Sequence, residues 1–207
     1  MITIISSGES GVAEAAVQAA KGFKIPIDGF CLPNGCNSND RPVSKWYGLK
    51  RADPDGKYHP PVDTRALSVW NVRKATHLLI LYKGYTHHGD GELFNNASLC
   101  AKYGFTAFVA NNVAYEERIP TVAVDLTDPK DILKVRTWVE ENPSARIMIA
   151  GPNEFENPGI AMVALKTIRA FFKLFVAKDQ SSVDPSPKEA STSPIKPSIV
   201  VGKPRPV

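Results

Sequence analysis

Apolar and polar positions along this chain alternate between two periods. Met1 to Ile5 is a short, β-branched, uncharged run that suits a strand buried on both faces of a parallel sheet. It stops at Ser6-Ser7-Gly8-Glu9-Ser10-Gly11, after which Val12, Ala15, Ala16, Ala19 and Ala20 recur at helical spacing. Further along, Lys24–Cys31, Thr76–Tyr82, Pro120–Leu126 and Ala145–Ala150 read as strands. Helices are expected at Asp63–Val72 with an Asp or Thr cap, at Glu92–Lys102, at Ala107–Arg118, at Pro129–Glu141 and from Ile160 to about Val176. Leu32 to Pro61 reads as a long ordered loop, because Trp46, Tyr47, Leu49 and Tyr58 give it side chains to pack.

Strands that alternate with helices imply an α/β, Rossmann-like fold, a mostly parallel sheet with helices on both faces. Loops 6–11, 83–106 and 150–159 then meet at the carboxyl ends of the strands. Residues 1–177 form one ligand-binding domain on this reading. Residues 178–207 form an extended C-terminal tail, since Ser181–Val207 holds six of the seventeen prolines and a single apolar triplet, Ile199-Val200-Val201.

Composition narrows the classes. At 43% hydrophobic, 207 residues suffice for one full core. The net charge of +4 comes from scattered Lys and Arg without a basic run, so no nucleic-acid partner is expected. No apolar run approaches the roughly 20 residues of a membrane span. Cys31, Cys36 and Cys100 make an odd number, and Met1 leads directly into a strand, so a reducing, cytoplasmic setting is expected.

The candidate chemistry lies in the loops. A buried strand running through small residues into an Ala-rich helix leaves backbone amides that favour an anionic ligand. The plainer alternative is that Ser7 or Ser10 caps the helix and Gly8 and Gly11 make the turn. His87, His88, Asp90 and Glu92 read as a solvated lid loop rather than a metal site, because adjacent His side chains diverge and no zinc-type Cys spacing accompanies them. Cys31 and Cys100 read as small buried hydrophobes. Trp70 and Trp138 read as core, and Trp46 is placed to stack on a flat ring.

Five segments, in order over roughly residues 1–172, resemble the molybdenum-cofactor carrier family. This is the circularly permuted branch of the nucleotide-binding superfamily that includes the cytokinin-activating, lysine-decarboxylase-like phosphoribohydrolases. They are Ser7-Gly8-Glu9-Ser10-Gly11-Val12-Ala13, Gly29-Phe30-Cys31-Leu32-Pro33, Trp70-Asn71-Val72-Arg73, Gly104-Phe105-Thr106, and Ala150-Gly151-Pro152-Asn153-Glu154 with Pro158-Gly159-Ile160. The resemblance implies a Rossmann-like scaffold that holds a phosphorylated, nucleotide-like or pterin ligand, molybdopterin among them, without transforming it. Its site would comprise Ser7, Gly8, Glu9, Ser10, Gly11, Arg65, Asn71, Arg73, Gly104, Thr106, Gly151, Asn153 and Glu154, with Thr106 capping the opposing helix and the arginines adding positive charge.

The departures from the family pattern fall on that site. Glu9 stands where the family has Gln, Ser10 where it has Thr, Ala13 where it has Asp, Phe105 where it has Gly, and Asn153 where it has Arg; Tyr85–Tyr103 reads as an insertion over the site. Three functions follow: a binding protein for such a ligand; an interaction protein that kept the fold and docks a protein partner or a second copy through its C-terminal arm; and a phosphoribohydrolase with Glu9 or Glu154 as base. The Pro-Gly-Gly-x-Gly-Thr-x-x-Glu motif of those enzymes is absent, which leans the reading away from catalysis.

Overall fold

The computed structural model describes residues 2–53, 55–57, 62–84 and 104–181, with the side chains of Pro129, Ile132 and 174–181 outside that description. Seven strands appear among these residues: β1 (Thr3–Ile5), β2 (Ile27–Asp28), β3 (Phe30–Cys31), β4 (Lys50–Arg51), β5 (His77–Tyr82), β6 (Thr121–Asp125) and β7 (Arg146–Ala150). The helices are α1 (Val12–Gly22), α2 (Val43–Tyr47), α3 (Thr64–Lys74), α4 (Phe105–Glu116), α5 (Pro129–Glu140) and α6 (Ile160–Ser181).

Five strands form one parallel sheet in the order β2-β1-β7-β5-β6. The last of the described strands, β7, therefore lies between β1 and β5 at the centre. Register alternates the strand residues between two cores. Ile4, Leu79, Leu81, Ile147 and Ile149 face α1, α5 and α6, while Ile5, Leu78, Ile80, Met148 and Ala150 face α3 and α4. The small apolar face of α1, Ala15, Ala16, Ala19 and Ala20, lets α6 pack closely against it. The expected Rossmann-like layering is thus present.

Some details differ from the sequence reading. Helix α6 runs to Ser181, beyond the expected end near Val176, and α4 begins two residues earlier than expected, at Phe105. The loop 32–61 contributes α2 and β4, and β4 pairs with β3 as a separate two-stranded parallel sheet. Trp46 lies on α2, exposed and edge-on to Tyr47. The expected helix at 92–102, the His87–His88 loop, Cys100, Tyr58 and the tail from residue 182 lie outside the described residues.

Candidate functional site

Parallel strands deliver their following loops to one end of the sheet, and here three of those loops touch. The Val12 amide donates to the Pro152 carbonyl at 3.2 Å, so the start of α1 rests on the loop after β7. A Cβ on Gly11 would collide with that carbonyl, and one on Gly104 would meet Pro152 Cα at 2.7 Å. Gly11 and Gly104 are the N-terminal boundary residues of α1 and α4, with φ of 88° and 78°. Side chains are strained there, so glycine permits both the close approach and the turn into each helix.

Neither helix has a side-chain cap from its boundary residue. The expected caps from Ser7, Ser10 and Thr106 are therefore corrected, since the boundary position belongs to a glycine in each case. Ser7 Oγ instead accepts from the Glu9 amide at 3.3 Å, and Ser10 Oγ lies 3.0 Å from Ser38 Oγ.

Between the loops lies a hollow of about 10 Å³, room for about one water. Ser7, Glu9, Ser10, Thr106, Gly151 and Asn153 line it, with Ala13 and the end of β7. Six of the residues expected at the site thus come together. Glu9 is 6% exposed. Its Oε2 accepts from the Ser38 amide at 3.2 Å, and its Oε1 is buried without a partner among the described residues. Burial pushes this carboxyl above its ordinary range, and hydrogen bonds from Ser38 and Ser10 offset that only in part, with the charge of Glu14 adding to the rise.

A segment that the sequence reading passed over as loop covers this end. Asn37 is buried and donates to the Gly8 carbonyl and to Glu14 Oε2, each at 3.3 Å. Arg41 pairs with Glu14 Oε1 at 2.7 Å, and Ser38 engages Glu9 and Ser10. Asn37–Arg41 is a strap over the first loop, held by the carboxylates of Glu9 and Glu14. Asn37, Ser38 and Arg41 carry no periodic signal, and their partners lie 23 to 29 residues away.

Carboxylates of this chain also hold amides where an anion was expected. Glu156 accepts from the Phe105 amide at 2.7 Å through Oε1 and from the Asn153 amide at 2.9 Å through Oε2. It fills the N-terminal anion position of α4, which favours negative charge. Glu154 does the same for α6, its two oxygens accepting from Gly159 and Ala161 at 2.7 Å. That double engagement makes Glu154 a helix cap.

The remaining expected residues sit elsewhere. Gly8 packs against Val43 and Leu49. Asn71 is fully buried and clamps Phe30, accepting from its amide at 2.8 Å and donating to its carbonyl at 3.0 Å. Arg65 is exposed on α3 and lines neither this hollow nor the next. Arg73 pairs with Glu117 at 2.7 Å and borders a separate open groove of about 510 Å³ with Phe30, Trp70 and Arg51. Among the described residues no cluster of three or more His, Cys, Asp or Glu is arranged to hold a metal ion.

Comparison with known proteins places this geometry. A family described as "Circularly permutated YpsA SLOG family" matches residues 4–172. No curated protein matches. A crystal structure named "Putative molybdenum carrier protein" from Syntrophus aciditrophicus superposes with a TM-score of 0.63 at 21% identity, over 82% of this chain and 93% of that one. At that identity the likeness speaks for the fold.

Proposed function

Because the chain belongs to the circularly permutated YpsA SLOG family, we propose that it is a carrier-type binding protein. Its ligand is a phosphorylated nucleotide or a pterin such as molybdopterin, held without being transformed. The observation that carries this reading is the rim itself, where two helix N-termini and three loops converge on a hollow lined by Glu9, whose Oε1 is buried without a partner among the described residues. Such an atom costs free energy in the empty protein unless something that enters satisfies it. A structural role alone does not require it.

The hollow as it stands is too small for a whole ligand. Binding therefore takes place over the rim, with the strap Asn37–Arg41 or the Glu156 carboxylate yielding. A cytoplasmic setting goes with this reading; no described helix is long and apolar enough to cross a membrane.

The test is a thermal-shift and calorimetric panel of nucleoside monophosphates, pterins and molybdopterin on the full chain. Stabilisation by at least one, weakened by Thr106→Ala, is the expected result. No response to any of them overturns the reading. The docking alternative then takes its place, and deletion of residues 182–207 should abolish assembly with a partner or a second copy while leaving the melting temperature intact.

A further inference from the structure

The groove bordered by β3, β4 and α3 is a second concave surface, and none of the residues that line the small hollow lines it. Its volume of about 510 Å³ lies within the range of small-molecule sites. Phe30 and Trp70, both half-buried, form its aromatic wall, edge to face with ring centroids 5.6 Å apart. That wall is held in place. Asn71 engages both the amide and the carbonyl of Phe30, and Lys74 Nζ lies 4.6 Å from the centre of its ring. Trp70, Asn71 and Arg73 thus belong to one construction: two of them line the groove and the third fixes its wall.

The charged side chains of the lining divide into those that have partners and one that has none. Lys57 Nζ meets Asp55 at 3.1 Å, the Lys57 amide donates to Asp53 Oδ1 at 2.7 Å, and Arg73 Nε meets Glu117 at 2.7 Å. The Arg51 guanidinium makes no ion pair or hydrogen bond among the described residues. It is placed all the same. Its backbone is set by the pairing of β4 with β3, Cys31 opposite Arg51, and a Cβ on Gly35 would come within 2.8 Å of Arg51 Nε. Gly35, at φ +77°, leaves room for the guanidinium and takes a turn that side chains resist.

We propose that this groove is a second binding site, for a planar aromatic ring that carries an anionic group, with the ring packed on Trp70 and the anion held by Arg51. A flat ring is what an aromatic wall recognises best. The guanidinium fork matches a carboxylate or a phosphate, two parallel N–H groups to two oxygens. A cationic ligand fits poorly, because both acids of the lining are engaged and Arg51, Lys57 and Arg73 line the same space. The site does not depend on the rim or on what binds there.

The experiment titrates the full chain with 2-naphthoate and 2-naphthyl phosphate, read by calorimetry and by the indole N–H resonance of Trp70. Two controls separate the parts: 2-naphthylmethanol has the ring without the charge, and decahydronaphthalene-2-carboxylate has the charge without the flat ring. At least one of the two aromatic anions should shift the Trp70 signal and bind about fivefold or more tighter than either control. The tighter of the two identifies the acid group. Arg51→Gln should lower its affinity about fivefold, to that of the alcohol, and Arg51→Lys should restore part of it. Both variants should keep the wild-type melting temperature, and Thr106→Ala at the rim should leave every one of these affinities unchanged.

Equal binding of the alcohol and the aromatic anions, or unchanged affinity in Arg51→Gln, overturns the role of Arg51. Equal binding of the saturated carboxylate overturns the flat ring. A Trp70 signal that stays still with both aromatic anions up to about 10 mM removes the site altogether. None of these results bears on the rim, whose binding role stands or falls with its own panel.

Discussion

Two neighbouring strands of the sheet end in acids with opposite surroundings. β1 and β2 pair with Ile5 opposite Asp28; the chain after β1 carries Glu9, and β2 ends in Asp28. Asp28 receives Lys74 on both oxygens at 3.0 Å, Arg146 at 2.9 Å and the Gly29 amide at 2.8 Å, with Lys50 at 3.6 Å. Burial pushes its carboxyl up, but the hydrogen bonds from Lys74, Arg146 and Gly29 outweigh that and hold it well below the usual carboxylate range. Glu9 is more deeply buried and, among the described residues, makes no ion pair and leaves one oxygen without a partner. An acid with every oxygen engaged braces the sheet edge. One with an oxygen unengaged inside the protein carries an unmet acceptor, and that difference separates the two regions.

The contrast depends on the two regions being locked together, which Gly29 does. Its φ is +136°, and a Cβ there would collide with the Ser6 carbonyl and come within 2.8 Å of Asn71 Oδ1. Both obstacles are held in place, one as backbone and the other in the Phe30 clamp. Gly29→Ala is therefore expected to cost more than about 3 kcal/mol and to leave little folded protein. Urea unfolding checks it, and wild-type stability in this variant would mean that the two regions move independently.

Removing the charge at Asp28 should have the next largest effect. Asp28→Asn leaves Lys74 and Arg146 facing each other and is expected to cost about 2 to 3 kcal/mol at neutral pH. The sign of its pH dependence is fixed. A carboxyl whose folded value lies below its unfolded one stabilises above the unfolded value, and that stability is lost as pH falls through the folded one. The gap between wild type and variant should thus close in acid. A gap that stays constant with pH would remove the ion network as its cause.

Much of the scaffold was legible in the sequence, and the reason is local periodicity. Apolar runs such as Leu78–Tyr82 and Ile147–Ala150 mark buried strands, and the carboxyl-end rule then brings Ser7, Thr106 and Gly151 to one rim. What escaped were bonds between distant residues of unremarkable type. Glu156 engages Phe105 from 51 positions away. The Asn37–Arg41 strap is five residues of ordinary loop composition. Asn71 and Arg73 sat in a motif that matched the family, yet one clamps Phe30 and the other pairs with Glu117. Identity within a motif indicated that these positions matter and not which surface they build.

The strap gives a smaller test of the same contrast. Glu14 is 8% exposed at its side chain and holds Arg41 at 2.7 Å, so Glu14→Gln should cost about 1 kcal/mol. More telling is hydrogen exchange at the Ser38 amide, which donates to Glu9. It should speed up in the variant while the amides of β5 and β7 stay protected. Uniform acceleration through the sheet would mean that the strap is part of the core and does not open separately.

The smallest effect is the most discriminating, because it concerns Glu9 itself. An unfolded chain ionises this group near its ordinary value of 4.5. In the folded protein burial delays ionisation, and Glu14's charge adds to the delay. Below 4.5 both states hold the proton and the carboxyl is neutral in its effect. As pH rises past that value the unfolded chain releases its proton first, so folded stability falls until the folded group ionises as well. Asp28 follows the reverse course. Glu9→Gln has no proton to release, so the melting temperature of the variant minus that of wild type should increase from about pH 4 to about pH 8. A difference that falls with pH would place Glu9 among the fully engaged acids, and one independent of pH would mean that burial leaves its ionisation unshifted.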